Sequence, residues 1–157
     1  MPAIVSTRGL GRRAGIGAGT IRRRAEAMLA TAERSEALLS VLLCSDDVIA
    51  ELNGQYRGKS GPTDVLSFGM SGEPADGGAA PEAPLREPDE PEVLGDVVIS
   101  VPAAARQAAG SLRDEVTRLL AHGLLHLLGW DHATAKAARA MEAETERLAA
   151  AAARRHG

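Results

Sequence analysis

Aromatic side chains are almost absent from this chain. Tyr56, Phe68 and Trp130 are the only three in 157 residues. Thirty of the apolar residues are alanine, so a core must rest on the Leu, Val and Ile segments. The one cysteine, Cys44, excludes an intramolecular disulfide and any zinc site built from several thiolates. Lysine is nearly missing too, at two residues against sixteen arginines. With so much alanine, that bias reads as base composition of the coding DNA rather than function. No apolar run approaches the ~18 residues of a membrane span; the longest, Ala37 to Cys44, is interrupted by Ser40. The pair Arg12-Arg13 is followed by glycines and further arginines with no apolar stretch, so it is not a twin-arginine export signal. The expectation is a soluble, cytoplasmic, single-domain protein with a modest core.

The net charge of −3 gives no sign of a nucleic-acid binder, but it is unevenly spread. Between Met70 and Glu92 lie five of the eight prolines and seven acids, with Arg86 the one base. That stretch carries −6 and leaves +3 for the rest of the chain. Its composition cannot bury enough apolar surface to offset ordering, so residues from about 70 to 92 read as an exposed, mobile loop insertion. The first 34 residues hold seven arginines and two acids, and about 1–19 read as a flexible basic terminus.

Ala3–Ser6 is a strand candidate. The glycine-rich Gly9–Gly19 lacks the lysine pattern of a phosphate loop. Thr20 can cap a helix to about Thr31 with its arginines in solvent. The nearly continuous apolar run Leu38–Leu43 suits a central buried strand. Ser45 starts a helix that Gly54 would close. Asp64–Phe68 and Leu94–Ser100 read as strands. Pro102 begins a short helix, Ser111 caps a stronger one that Gly129 ends, and a last helix runs from Thr134 to about Arg154. The mixed order favours a four-stranded sheet covered by helices over a regular βαβ repeat.

Three of the four histidines fall within eleven residues, at His122, His126 and His132. The first two are one helical turn apart on one face, at the border of the apolar stripe, and Gly129 lets the chain turn back to bring in the third. Ordinary polar residues at a helix end would not need this spacing; a metal ion would. Three neutral imidazoles suit zinc, with nickel, copper and iron as alternatives, and three protein ligands leave a position for water. The spacing is that of the metzincin proteases, except that the general-base glutamate after the first histidine is here Gly123. Proteolysis of that type therefore lacks its base. Glu115 reads as a solvated helix acid, with a supporting role beside a histidine as the alternative. Asp131 either orients an imidazole or caps the last helix.

The run from His122 to His132, with Leu52-Asn53, Tyr56-Arg57, Pro62–Phe68 and Leu94–Ser100 in order before it, resembles the YbeY-type bacterial endoribonucleases, the rRNA maturation factors. The resemblance covers about Leu38 to Leu148. It implies an α+β, zincin-like domain with a small mixed four-stranded sheet and one zinc ion held by the three histidines. It further implies cleavage of single-stranded RNA, in maturation of the 16S rRNA 3′ end and ribosome quality control, with Arg57 as the important arginine. Links to the small ribosomal subunit, one of its proteins and a ribosome-associated GTPase follow from the resemblance alone. An arginine suits such a role, because guanidinium stays charged and can grip a phosphate through two parallel hydrogen bonds. A metalloprotease-like hydrolase and a non-catalytic zinc-containing assembly factor are the competing functions. Arg106 either adds to a basic groove or is merely exposed, Lys59 reads as solvated, Tyr56 and Trp130 as packing residues with base stacking as the alternative, and Phe68 and Cys44 as core.

Overall fold

The computed structural model describes residues 3–11, 15–70, 73–75, 87 and 89–155. Four strands form one sheet in the order β1-β2-β4-β3: β1 (Ala3–Arg8), β2 (Leu38–Cys44), β3 (Val65–Phe68) and β4 (Val93–Ser100). β1, β2 and β4 are parallel, and the short β3 is antiparallel at one edge. The helices are α1 (Ala18–Thr31), α2 (Asp46–Arg57), α3 (Val101–Gln107), α4 (Leu112–Leu127) and α5 (Ala135–Arg155). The expected α+β class with a mixed four-stranded sheet is what the chain forms, and β1-α1-β2 is one βαβ unit within it.

β2 is apolar at nearly every position because both of its faces are covered. Leu39, Val41 and Leu43 point into the main core with Val97 and Ile99 of β4, under Met28 and Leu29 of α1, Leu120 and Leu124 of α4 and Met141 and Leu148 of α5. On the other face Cys44, Leu66, Phe68 and Val98 meet Val48 and Ile49 of α2. That second face is only partly covered. Ile4 of β1 stands 63% exposed on it, level with Ser40 and Asp96 across the strands.

Several local readings change. The N-terminus expected to be flexible over 1–19 contributes β1 from residue 3 to residue 8, and α1 already begins at Ala18; residues 12–14 lie outside the described ones. Thr20 does not cap α1. Gly17 occupies that position without a side-chain bond, and the Thr20 hydroxyl accepts from Arg23 instead. The arginines of α1 are not all in solvent: Arg24 is 2% exposed, because it faces α4. There its guanidinium donates to Asp114 at 2.9 Å and to the Thr117 hydroxyl at 2.7 Å. α2 does not stop at Gly54 but runs to Arg57 and closes on Gly58, whose φ of 67° is the left-handed conformation a helix end favours. The acidic stretch is anchored at both ends: Pro74 bridges to Phe68, Ala75 is buried, and Glu92 pairs with Arg34 at 2.7 Å. Residues 71–72, 76–86 and 88 of it lie outside the described ones.

Two glycines mark close approaches. β4 carries a bulge where Leu38 and Leu39 pair with Val93 and Gly95. Gly95 sits there at φ 136°, where a Cβ would collide with the Phe68 carbonyl oxygen. Gly123, near the C-terminal end of α4, presses on the sheet: a Cβ would come 2.6 Å from Cγ1 of Val97 and 3.0 Å from Oγ of Ser67.

Two stability measurements test this packing. Gly123→Ala gains helix propensity but must push a fully buried Val97 aside, so urea unfolding is expected to show a net loss of about 1–2 kcal/mol. Asp114→Ala removes one acceptor from the buried Arg24 and is expected to cost about 1–3 kcal/mol at neutral pH. The Arg24 hydrogen bond holds the Asp114 carboxyl below its ordinary pKa. Its contribution is therefore full above the ordinary carboxylate range and fades as pH falls through the lowered value. The gap between wild type and Asp114→Ala should close in acid.

Candidate metal centre

α4 places His122 and His126 one turn apart near its C-terminal end. Ser111 starts the helix, its hydroxyl accepting from the Asp114 amide at 3.0 Å. At the other end Leu128 is the C-cap and Gly129 turns the chain at φ 98°. The Gly129 amide donates to the His126 carbonyl and the Trp130 amide to the Leu125 carbonyl, both at 3.0 Å, which is the Schellman closure. This turn returns His132 to the histidines of the helix. Asp131 neither orients an imidazole nor caps α5. Its carboxylate accepts from the Ala133 amide at 3.3 Å, and Thr134 caps the helix by accepting from Ala137.

The three side chains converge. One ring nitrogen from each lies within 4.8 Å of the others, and the cluster could hold a metal ion. The Nε2 atoms of His122 and His126 are 3.2 Å apart. His126 is buried, and its Nδ1 lies 3.0 Å from the Trp130 carbonyl oxygen. A carbonyl only accepts, so Nδ1 carries the proton and Nε2 keeps its lone pair toward the cluster. Burial, reinforced by the neighbouring His126 and His132, pushes the His122 pKa down to about 4. At neutral pH its imidazole is uncharged, the form a metal accepts. The donor set thus fits a borderline ion such as zinc.

The cluster forms one wall of a cleft of about 160 Å³. Val65–Ser67 of β3, Asp64 and Arg57 complete it. Arg57 is the last residue of α2, and the turn after it is fixed by the buried Asn53, whose carbonyl accepts from the Lys59 amide at 3.3 Å and whose side-chain amide donates to the Gly61 carbonyl at 3.0 Å. The Ser67 hydroxyl donates to the Gly123 carbonyl at 2.9 Å, tying β3 to α4 between the two helical histidines.

Other residues singled out in the sequence lie apart from the cleft or are otherwise engaged. Arg106 makes a bidentate pair with Asp46 of α2, at 2.8 and 3.1 Å, rather than lining a basic groove. Glu115 is not a solvated acid. It is paired with Arg118 at 2.7 Å and accepts from Gln107 at 2.7 Å. The same Gln107 amide donates to Asp64 at 3.2 Å, so Glu115 reaches the cleft through two other side chains. Lys59 is exposed, whereas Phe68 and Cys44 are buried. Burial pushes the Cys44 thiol up to about 11, which makes it inert. Tyr56 is 49% exposed, with its ring centroid 5.5 Å from that of Phe68. Sequence reasoning had no role for Asp64 and Gln107; the signal for Asp64 was its place in the Pro62–Phe68 run.

Comparison with known proteins agrees with this geometry. The family model described as Endoribonuclease YbeY matches residues 15–153. A curated Endoribonuclease YbeY of Moorella thermoacetica is 46% identical over 118 residues, 73% of this chain and 72% of that protein. One from Anaeromyxobacter sp. is 46% identical over 83% of this chain and 62% of its own length. A third, from Symbiobacterium thermophilum, is 44% identical over 83% of each chain. The solution structure of TM1509 from Thermotoga maritima superposes with a TM-score of 0.57 and 25% identity, covering 95% of this chain and 89% of that one. With the model spanning most of the sequence and these relatives matching it over most of their common length, the chain belongs to the YbeY endoribonuclease family.

Proposed function

We propose that this protein is a zinc-dependent endoribonuclease that hydrolyses phosphodiester bonds of single-stranded RNA, with His122, His126 and His132 as metal ligands and Arg57 as the phosphate-binding catalytic residue. The observation that carries the reading is the shared cleft: a guanidinium from the end of α2 and three converging imidazoles from α4 and its turn line the same cavity. When bound, a zinc ion supplies Lewis acidity and the means to activate water at neutral pH.

The protein's own groups do the rest. The Trp130 carbonyl holds the His126 ring in one tautomer, and burial keeps His122 neutral. Arg57 donates to phosphate oxygens and stabilises the charge that builds on them as the bond breaks. A guanidinium donates rather than accepts, so it is not the base. A protease of the zincin kind is disfavoured on geometry as well as composition, because position 123 faces Val97 and Ser67 and has no room for a glutamate. In the cell we assign the activity to the cytoplasm, to 16S rRNA 3′-end maturation and ribosome quality control on the small subunit, which is the role that the family resemblance implies.

Metal analysis combined with cleavage of a single-stranded RNA tests the reading in wild type, His126→Ala and Arg57→Ala. Wild type should carry one zinc per chain and cut the RNA. His126→Ala should lose both metal and cleavage. Arg57→Ala should keep the metal while kcat drops about 10²–10³-fold. Cleavage that persists unchanged in metal-free His126→Ala protein would remove the site. Metal-dependent peptide hydrolysis without RNA cleavage would make the protein a protease, and bound metal with neither activity would make it an assembly factor.

A further inference from the structure

A second cavity, of about 230 Å³, lies between α2 and the partly covered face of the sheet, lined by Leu42, Leu52, Tyr56, Phe68, Asp96 and Val98. It is smaller than the ~300–1,000 Å³ of pockets that take drug-sized ligands, and suits one planar heterocycle. It adjoins the metal cleft through two elements. Tyr56 lines it while the next residue, Arg57, lines the cleft, and Phe68 closes the strand whose Val65–Ser67 form the cleft wall.

The lining has two unusual members. Tyr56 is half exposed, and its ring, tilted 58° against Phe68, is an open stacking platform in a chain with almost no aromatics. Asp96 projects from mid-β4 beside apolar side chains but is exposed to solvent, and partial desolvation by that lining raises its carboxyl above the ordinary pKa. Among the described residues it makes no hydrogen bond or ion pair. A carboxylate at the rim of an apolar floor, with no partner of its own, is an acceptor open to a ligand's donor.

We propose that this groove is a nucleobase subsite, in which the base flanking the phosphate at Arg57 stacks on Tyr56 and gives its exocyclic amine to the carboxylate of Asp96. The proposal rests on the RNA reading above. The placement supports it, because the consecutive residues Tyr56 and Arg57 line the two adjoining cavities. The carboxylate only accepts. It favours the amino edge of cytosine, and equally of adenine or guanine, over the uracil edge, where two carbonyls flank the one N–H.

The test is fluorescence anisotropy of the zinc-loaded protein with labelled single-stranded oligocytidylate and oligouridylate in the cold, with the RNA verified intact on a gel, alongside steady-state cleavage. Wild type should bind the cytidine oligomer about five- to tenfold more tightly. Asp96→Asn, nearly isosteric and on the surface, should bring the two within about twofold, since an amide both donates and accepts. Tyr56→Ala should weaken both about tenfold and raise KM more than it lowers kcat, while Tyr56→Phe should bind as wild type. If wild type neither binds nor cuts RNA, the endoribonuclease reading fails and this one with it. If it does both and Tyr56→Ala and Asp96→Asn match it, the subsite alone is overturned. Unchanged RNA binding with loss of a protein partner in those variants would also overturn it, and would make the groove a docking face.

Discussion

The cleft exists because α4 lies unusually close to the sheet at one residue. Gly123 has no side chain, and its carbonyl receives the Ser67 hydroxyl. With a Cβ there, the helix would have to lift off Val97, a core residue with no room to yield. His122 stands immediately before this contact and His126 three residues after it. The contact therefore sets both imidazoles against β3, and through β3 beside Arg57. The same contact explains the chemistry of position 123. A side chain at this position is aimed at Val97 and Ser67 of the sheet, so the departure from the protease pattern goes with close helix–sheet packing.

Charge is organised locally rather than in bulk. Several of the described arginines are held in ion pairs: Arg24 with Asp114, Arg34 with Glu92, Arg106 with Asp46, Arg118 with Glu115. Two of them join helices, α1 to α4 and α2 to α3, and paired charges contribute little to a field that RNA would sense at a distance. What distinguishes Arg57 is position. Among the described residues it is the arginine that lines the cavity holding the histidines. Net charge, whether −3 for the chain or +3 without the acidic stretch, does not bear on that placement.

The features legible in the sequence were those fixed by local geometry. The apolar run of β2, the Ser111 cap, the Gly129 turn and the i, i+4 histidine pair depend on residues within a few positions of one another, and each is present as read. The features missed depend on what another element brings. Nothing near Arg24 in the chain announces that Asp114 and Thr117 will meet it 90 and 93 residues later. Glu115 looked solvated because Gln107 becomes its partner only when α3 packs on α4, whereas its Arg118 pair is local to α4. Tyr56 looked like a packing residue because an aromatic beside Leu52 usually is one; it is half exposed because the second sheet face has only α2 to cover it.

That division carries over to the site. The three histidines come from eleven consecutive residues, and the helix end and its Schellman turn fix their mutual geometry. The arginine comes from 65 positions before His122, held by the Gly58 cap and the Asn53-braced turn. The cluster that could hold a metal is thus a property of one short segment, whereas the placement of Arg57 beside it is a property of the whole fold, transmitted through β3 and the Ser67 hydrogen bond. Changes far from the cleft that loosen the α4–sheet contact act on the second quantity and not the first. In the proposed reaction, where a charged donor must be aligned with the histidine cluster, that relative position is what the sheet and the bare helix face at Gly123 would hold.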